Sequence, residues 1–312
     1  MCCCCPPAIS ALFCLWFKSG CRKSTVASTL TFFPPEPALY KFERVTKDGR
    51  VLEDHEHAED YKKVQEDDNQ EEENDTASIV DQMEETVEES PLQHLPESET
   101  KGQTQEQMKS PMEQLTDQAE ERRKRSKIRK VRDDNDVAAG VTYRLALDQR
   151  LVLPPYDQNS IEAVKIPVKA ANTSDGDALL ATLIYRLPEE QQTENTKTII
   201  YSHGNATDIG AMFPIQVILA LSLQCHVVVY DYSGYGESGG VPDENNTYND
   251  IDAVYKYVLA NVADNKPSNV ILYGQSVGSG PCCYLAAKDD QIGGMILHSP
   301  FTSGMRVLTP SR

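Results

Sequence analysis

The five residues Gly274-Gln275-Ser276-Val277-Gly278 constrain this chain more than any other feature. They follow the apolar, β-prone run Val270-Ile271-Leu272-Tyr273. They precede Ser279-Gly280-Pro281-Cys282-Cys283, small residues with a proline suited to a first helical turn. A strand that becomes a helix within five residues must bend sharply. A side chain two places before or two places after the central serine would clash at such a bend, so glycine stands at both. Ser276 is therefore expected in a strained backbone conformation with its hydroxyl presented, as a nucleophile requires.

The pattern around that bend is regular from about residue 140. Val141 to Leu147, Ile161 to Val168 and Leu179 to Leu187 read as partly alternating strands. Thr198 to Ser202, His226 to Tyr230, Val270 to Tyr273 and Met295 to Leu297 are short apolar runs that suit buried strands. Helical patterns occupy 208–223, 247–262 and 279–289 between them. This alternation predicts an α/β architecture, a mostly parallel sheet with helices on both faces.

Two further loops follow buried strands. Ser202-His203-Gly204-Asn205-Ala206 is placed to supply an oxyanion-hole amide from Asn205 or Ala206, with the Val277 N–H supplying the other. Each such donor contributes about 3–4 kcal/mol to acyl transfer. His203 and Gly204 are expected to shape this loop, as Gly274 and Gly278 shape the bend. Asp231-Tyr232-Ser233-Gly234-Tyr235-Gly236-Glu237-Ser238 has glycines for a tight turn. Asp231 precedes the serine, against the Ser, acid, His order of this architecture, so a structural role is expected for it.

The N-terminal third differs in composition. The net charge is −18, yet residues 51–120 alone hold 23 Asp or Glu against 4 Lys or Arg. Acidity thus belongs to one segment and says nothing of the folded part's ligand. The stretch from about 46 to 135 that contains it is poor in aromatics and is expected to be disordered or weakly helical. It ends in the basic run Glu121 to Lys130, readable as a nuclear signal, a nucleic-acid patch, a contact for anionic lipid or a solvated counter-charge. Six of nine cysteines are Cys2, Cys3, Cys4, Cys5, Cys14 and Cys21. No Cys–His spacing resembles a metal site, and no disulfide framework or cofactor is expected. The apolar stretch Ala8 to Phe17 is too short to span a bilayer. S-acylation at Cys2 to Cys5 and Cys14 would instead supply several chains, enough to hold a membrane stably. Cys225, Cys282 and Cys283 read as buried thiols. Three regions are expected: a Cys-rich membrane-tether segment over 1–40, an acidic insertion ending in the basic run over 41–135, and an α/β domain over 136–312.

The order His203-Gly204-Asn205, then Asp231 to Ser238, then Leu272 to Gly278, then Ile296-Leu297-His298-Ser299-Pro300 resembles the alpha/beta-hydrolase-domain-17 family of depalmitoylases. The cysteine cluster, Phe32-Phe33-Pro34-Pro35-Glu36-Pro37 and Ser303 to Val307 resemble it too. The resemblance covers about 1–42 and 141–310, with the acidic segment as an insertion. It implies an α/β-hydrolase fold and a serine hydrolase that removes palmitoyl groups from S-acylated membrane proteins. Such a protein would be peripheral, held by lipid on the cytoplasmic face of the plasma or endosomal membrane. Nucleic acid and an obligate oligomer are not expected as partners.

The resemblance also implies an acid and a histidine on later strands, and the sequence ends at Arg312 before either. After Ser276 it offers His298, Asp289 and Asp290, the two carboxylates at a helix end away from the catalytic edge. Impaired turnover, an apolar edge at Gly294 to His298 and poor solubility are the expected consequences. Two other functions fit the same residues: an inactive form that binds acylated partners, and a different ester or lipid hydrolase.

Overall fold

The computed structural model describes residues 32–52, 111–169 and 177–301 of the chain. The expected tether and its cysteines Cys2 to Cys5 and Cys14, most of the acidic segment and Ser303 to Val307 lie outside the described residues.

The described strands are β1 (Tyr40–Val45), β2 (Val51–Leu52), β3 (Thr142–Leu147), β4 (Ile161–Lys169), β5 (Asp177–Tyr185), β6 (Thr198–Ser202), β7 (His226–Tyr230), β8 (Val270–Gln275) and β9 (Gly294–His298). The helices are α1 (Pro111–Ala139), α2 (Ile209–Leu223), α3 (Glu244–Asn261) and α4 (Ser279–Lys288). The strands form one mixed sheet in the order β2-β1-β3-β4-β5-β7-β6-β8-β9. Its C-terminal part is parallel, β6 pairing with β7 and β8, and β8 with β9. β1 to β5 join antiparallel, and β5 meets β7 antiparallel. The parallel part coincides with the continuous apolar strands, which need cover on both faces.

The chain reverses its direction of travel across the sheet at β6. β7 lies on one side of β6 and β8 on the other. Right-handed crossovers in opposite directions put their helices on opposite faces. Accordingly α2 packs on one face against Tyr40, Phe42, Leu183, Ile199, Tyr201, Val227 and Val229. The opposite face carries Ile251, Val254 and Val258 of α3 and Cys282 and Leu285 of α4, against Leu180, Ile200, Val228 and Leu272. Such a switch point opens a crevice at the carboxyl ends of the flanking strands. The loops after β6 and β8, which contain His203-Gly204-Asn205 and Ser276, lie there.

Helix boundaries follow local capping. The Asp208 side chain accepts Ala211 N–H at 2.8 Å and starts α2, and Gln224 in the left-handed region (φ 52°) ends it. Asp243 caps α3 through Asn245 N–H at 2.9 Å, so α3 begins three residues before the apolar period suggests.

Expectation and structure part in the N-terminal third. The 41–135 region is not disordered or weakly helical throughout: β1 and β2 join the sheet within it, and α1 runs across its boundary with the α/β domain. Buried charge holds α1 in place. Arg44 Nε of β1 lies 2.9 Å from both Asp136 oxygens, and its terminal nitrogen 2.6 Å from one of them. Lys165 of β4 donates to Asp133 at 2.5 Å, and Arg132 pairs with Glu237 at 2.9 Å. Arg129 donates to the Ser238 carbonyl. Arg125 reaches Glu36 at 3.1 Å. Burial opposes ionisation of Glu237, but Arg129, Arg132 and Lys165 outweigh it and bring its carboxyl down to about 2. Part of the basic run is therefore spent inside the fold. Cys225 and Cys282 are buried as expected, whereas Cys283 is exposed because α4 turns it outward.

At the sheet edge formed by β9, Met295, Ile296 and Leu297 are 41%, 44% and 37% exposed.

Candidate active site

β8 ends at Gln275, a single 3-10 turn spans Ser276–Gly278, and α4 starts at Ser279. Ser276 has φ +51°, a left-handed conformation that costs a non-glycine residue energy and persists only where the surroundings enforce it. The enforcing contacts are visible at both glycines. A Cβ on Gly274 would stand 2.6 Å from the Gly278 carbonyl oxygen and 2.8 Å from Ser279 Cα. A Cβ on Gly278 would fall on the Ser202 carbonyl and come within 2.9 Å of the His203 oxygen. The Ser276 carbonyl accepts the Ser279 hydroxyl at 2.6 Å, which fixes the first turn of α4. Cys282 of α4 donates across to the Ser202 hydroxyl at 3.6 Å, and Ser202 bonds Tyr230 at 2.8 Å. The bend is thus clamped from the β6 side, and Ser276 itself remains half-buried.

The loop after β6 lies beside it. A Cβ on Gly204 would sit 3.8 Å from Ser276 Cβ, an ordinary van der Waals distance, so the loop runs alongside the serine. His203 is fully buried, its Nδ1 2.8 Å from the Gly204 oxygen and its Nε2 3.2 Å from Asp231 Oδ1. Tyr232 donates to the His203 carbonyl at 2.6 Å and packs its ring 4.4 Å from the imidazole. His203 therefore shapes the loop and is sealed from substrate. Asp231 serves as a hub. Its carboxylate accepts Ile209 N–H at 3.0 Å and the Tyr40 hydroxyl at 2.5 Å. Burial, reinforced by Asp231, raises the Tyr40 hydroxyl well above its usual range. Asp250 of α3 accepts the Ser233 amide at 2.8 Å and its hydroxyl at 2.7 Å, and burial pushes its carboxyl up to about 7.

The oxyanion candidates divide. Val277 follows the serine directly in the 3-10 turn, next to the loop. The Ala206 amide is already engaged, donating to Asn205 Oδ1 at 3.0 Å, with Ala206 at φ +54°. In this arrangement the Ala206 N–H is directed at the Asn205 side chain. The Asn205 carboxamide oxygen also accepts from Phe33 N–H at 2.9 Å and the Tyr235 hydroxyl at 2.8 Å. Three donors converging on one atom identify it as the oxygen.

Among the described residues no hydrogen bond joins Ser276 to a histidine. His298 ends β9 opposite Gln275, but its Nδ1 faces the Tyr273 hydroxyl at 3.2 Å, three residues before the serine. Gln275 is itself held by Tyr201 at 2.9 Å. Asp289 ends α4 and accepts from Tyr255 at 2.6 Å, at the far end of the helix from the serine. Among the described residues no cluster of His, Cys, Asp or Glu has the make-up of a metal site.

A family model described as alpha/beta hydrolase fold matches residues 197–310. Human alpha/beta hydrolase domain-containing protein 17B is 37% identical over 172 residues, 55% of this chain and 56% of that protein. Mouse alpha/beta hydrolase domain-containing protein 17C is 37% identical over 155 residues, 50% of this chain and 46% of that protein. A putative hydrolase from Agrobacterium vitis S4 is a similar solved structure, at 27% identity and TM-score 0.37 over 48% of this chain and 58% of that one. The Pyrococcus furiosus esterase Pf2001 is another, at 20% identity and TM-score 0.36 over 48% of this chain and 56% of that one. The chain spans about half the length of the curated relatives it matches. Its C-terminal part has the α/β-hydrolase fold, and curated proteins similar to it include the alpha/beta hydrolase domain-containing proteins 17B and 17C.

Proposed function

We propose that this chain is a serine hydrolase acting on acyl thioesters of S-palmitoylated proteins at a membrane surface, with Ser276 as the nucleophile. The observation that carries the reading is Ser276 at φ +51° on a bend clamped by Gly274 and Gly278, with the Gly204 loop alongside it. A residue is held in that conformation against its preference when the hydroxyl must stand clear of both strand and helix. Ser276 Oγ would add to the acyl carbonyl carbon as its proton passes to a base or to solvent water; the C–S bond would then break with the cysteine sulfur leaving as a thiolate, giving an acyl-enzyme that water hydrolyses to the free acid and the serine hydroxyl. A thiolate leaves without the protonation an amine requires, so the general acid matters less for a thioester than for an amide. The Val277 amide and the backbone of the Gly204-Asn205 loop would stabilise the developing oxyanion. The likeness to the 17B and 17C proteins, and the cysteines at positions 2 to 5 and 14, support a lipidated membrane protein over a soluble ester as the setting.

A second reading rests on one observation: no histidine among the described residues is bonded to Ser276. A chain that keeps the elbow but has no base would bind acyl groups and turn over slowly or not at all; in one serine protease, loss of the histidine costs about 10⁶ in kcat. A fluorophosphonate probe separates the two. Labelling of the wild type and none of Ser276→Ala supports the hydrolase. An unlabelled wild type that still binds a palmitoylated peptide supports the binding form. Labelling that persists in Ser276→Ala sinks both.

A further inference from the structure

The chain enters the described fold beside the loops that follow β6 and β7. Phe32 is 4% exposed and packs edge-on to Tyr235 with ring centroids 6.5 Å apart. Phe33 N–H donates to Asn205 Oδ1 at 2.9 Å, while its own side chain is 44% exposed. Leu39 N–H donates to Asp208 at 2.8 Å, and Tyr40 bonds both Asp231 and, at 2.9 Å, the Glu237 amide. A Cβ on Gly210 would meet the Leu39 carbonyl and Tyr40 Cβ at 2.9 Å, so Leu39 and Tyr40 lie against the first turn of α2. Every one of these partners belongs to the loop after β6, the first turn of α2 or the loop after β7.

Asn205 is where the strap meets the site. Its Oδ1 takes the Phe33 amide from the strap, the Tyr235 hydroxyl from the loop after β7 and the Ala206 amide from its own loop. The preceding residue, Gly204, belongs to the stretch that runs alongside Ser276. Consecutive Cα atoms are about 3.8 Å apart, so the Phe33 amide lies on the order of 10 Å from the serine. Ala206 at φ +54° is a strained conformation that needs support, and the Asn205 oxygen supplies it through the Ala206 amide.

We propose that residues 32–40 form a strap that sets the shape of the oxyanion loop, with Asn205 as the positioning residue joining them. In its consequence for catalysis this rests on the hydrolase reading above; in its consequence for the loop it does not. The N-terminal segment that would carry the acyl groups then joins the fold at the mouth of the site. A membrane-held tether would present the serine to acyl groups at the same surface. It would also order the loop through the Phe33–Asn205 bond when the strap is seated.

Three variants of the full chain separate the strap from general stability. Phe33→Pro removes the donor N–H, Phe33→Ala keeps it and trims only an exposed ring, and Asn205→Ala removes the acceptor. Amide exchange at residues 204 to 207 should rise by about tenfold in Phe33→Pro, further in Asn205→Ala, and not at all in Phe33→Ala. The maximal rate of fluorophosphonate labelling should fall in the same order, by about 3- to 10-fold for Phe33→Pro. The probe concentration giving half that rate should not change, and the melting temperature should fall by no more than the about 2–4 °C that a tenfold change implies. A merely structural role would lower the melting temperature likewise and leave labelling of the folded protein intact. Unchanged exchange at 204 to 207 in Phe33→Pro overturns the strap, whatever the labelling. An unlabelled wild type whose loop exchange still responds to Phe33→Pro keeps the strap and removes the hydrolase reading alone.

Discussion

Asp136→Leu is the sharpest test of how the acidic third joins the fold. Arg44 is 3% exposed and Asp136 1%, and the guanidinium meets the carboxylate through two nitrogens at 2.6 and 2.9 Å. Removing the carboxylate leaves a buried cation with no compensating charge at that position, which costs about 3–5 kcal/mol. That is a large share of the ~5–15 kcal/mol that holds a domain together. With a urea m-value of about 2 kcal/mol/M, the unfolding midpoint should fall by about 2 M. Replacing both residues, Arg44→Met with Asp136→Leu, removes the stranded charge and should return stability to within ~1 kcal/mol of the wild type or above it. The single variant has one other way to respond. Helix α1 can undock alone, and the loss then appears as a lower m-value and as faster amide exchange over 120–139. Midpoint, m-value and exchange all unchanged in Asp136→Leu would refute the seating of α1 and restore the solvated charged helix that composition suggests.

Three other perturbations have defined outcomes. Gly278→Ala drives a methyl onto the Ser202 carbonyl, backbone against backbone, and should cost about 3 kcal/mol or more together with labelling of Ser276; a variant that labels normally contradicts the clamp. Burial raises Asp250 from 3.8 to about 7, so its contribution is full below pH 4 and is lost as pH rises to 7. That loss is on the order of 4 kcal/mol. Asp250→Asn should flatten the stability profile over that window, and an unaltered slope by urea titration at several pH values counts against the assignment. Replacing Cys2 to Cys5 by serine should move the chain from the membrane pellet to the supernatant, and continued pelleting would end the anchor proposal.

The parts of the fold legible in the sequence are those where one chemical pattern has one structural meaning. β6 and β7 are apolar runs buried at every position because both their faces are covered, while β8 is fully buried on one face and partly on the other; such runs have few alternatives in a chain that also carries helical periods. The bend at Ser276 was legible for a stronger reason. Two glycines at fixed distances from one serine record two steric collisions, with the Gly278 carbonyl and with the Ser202 carbonyl, that only the folded chain makes visible. What the motif could not convey was where the Ala206 amide is directed. That depends on Asn205 turning its side chain toward Ala206, Tyr235 and Phe33, the last 172 residues away in sequence.

The N-terminal third misled for the converse reason. β1 alternates correctly, Tyr40, Phe42 and Arg44 pointing inward, but its third inward residue is charged and hides the strand. The missing counter-charge is Asp136, 92 residues later in a helix that looks uniformly solvated. Composition counts each charge as solvent-seeking, and it fails wherever two distant charges are buried against each other. Asp133 with Lys165 repeats the arrangement, and Glu237 with Arg132 does so partly buried. The acidic segment therefore does more than link two ends. Through Arg129 on the Ser238 carbonyl and Arg125 on Glu36, α1 braces both the loop after β7 and the strap that holds Asn205. Loosening α1 should consequently be felt at residues 204 to 207 before it is felt in the parallel core. Amide exchange in Asp136→Leu can check that order: protection lost in β6 and β8 at the same time as in that loop would show that the helix braces the domain as a whole and not the site.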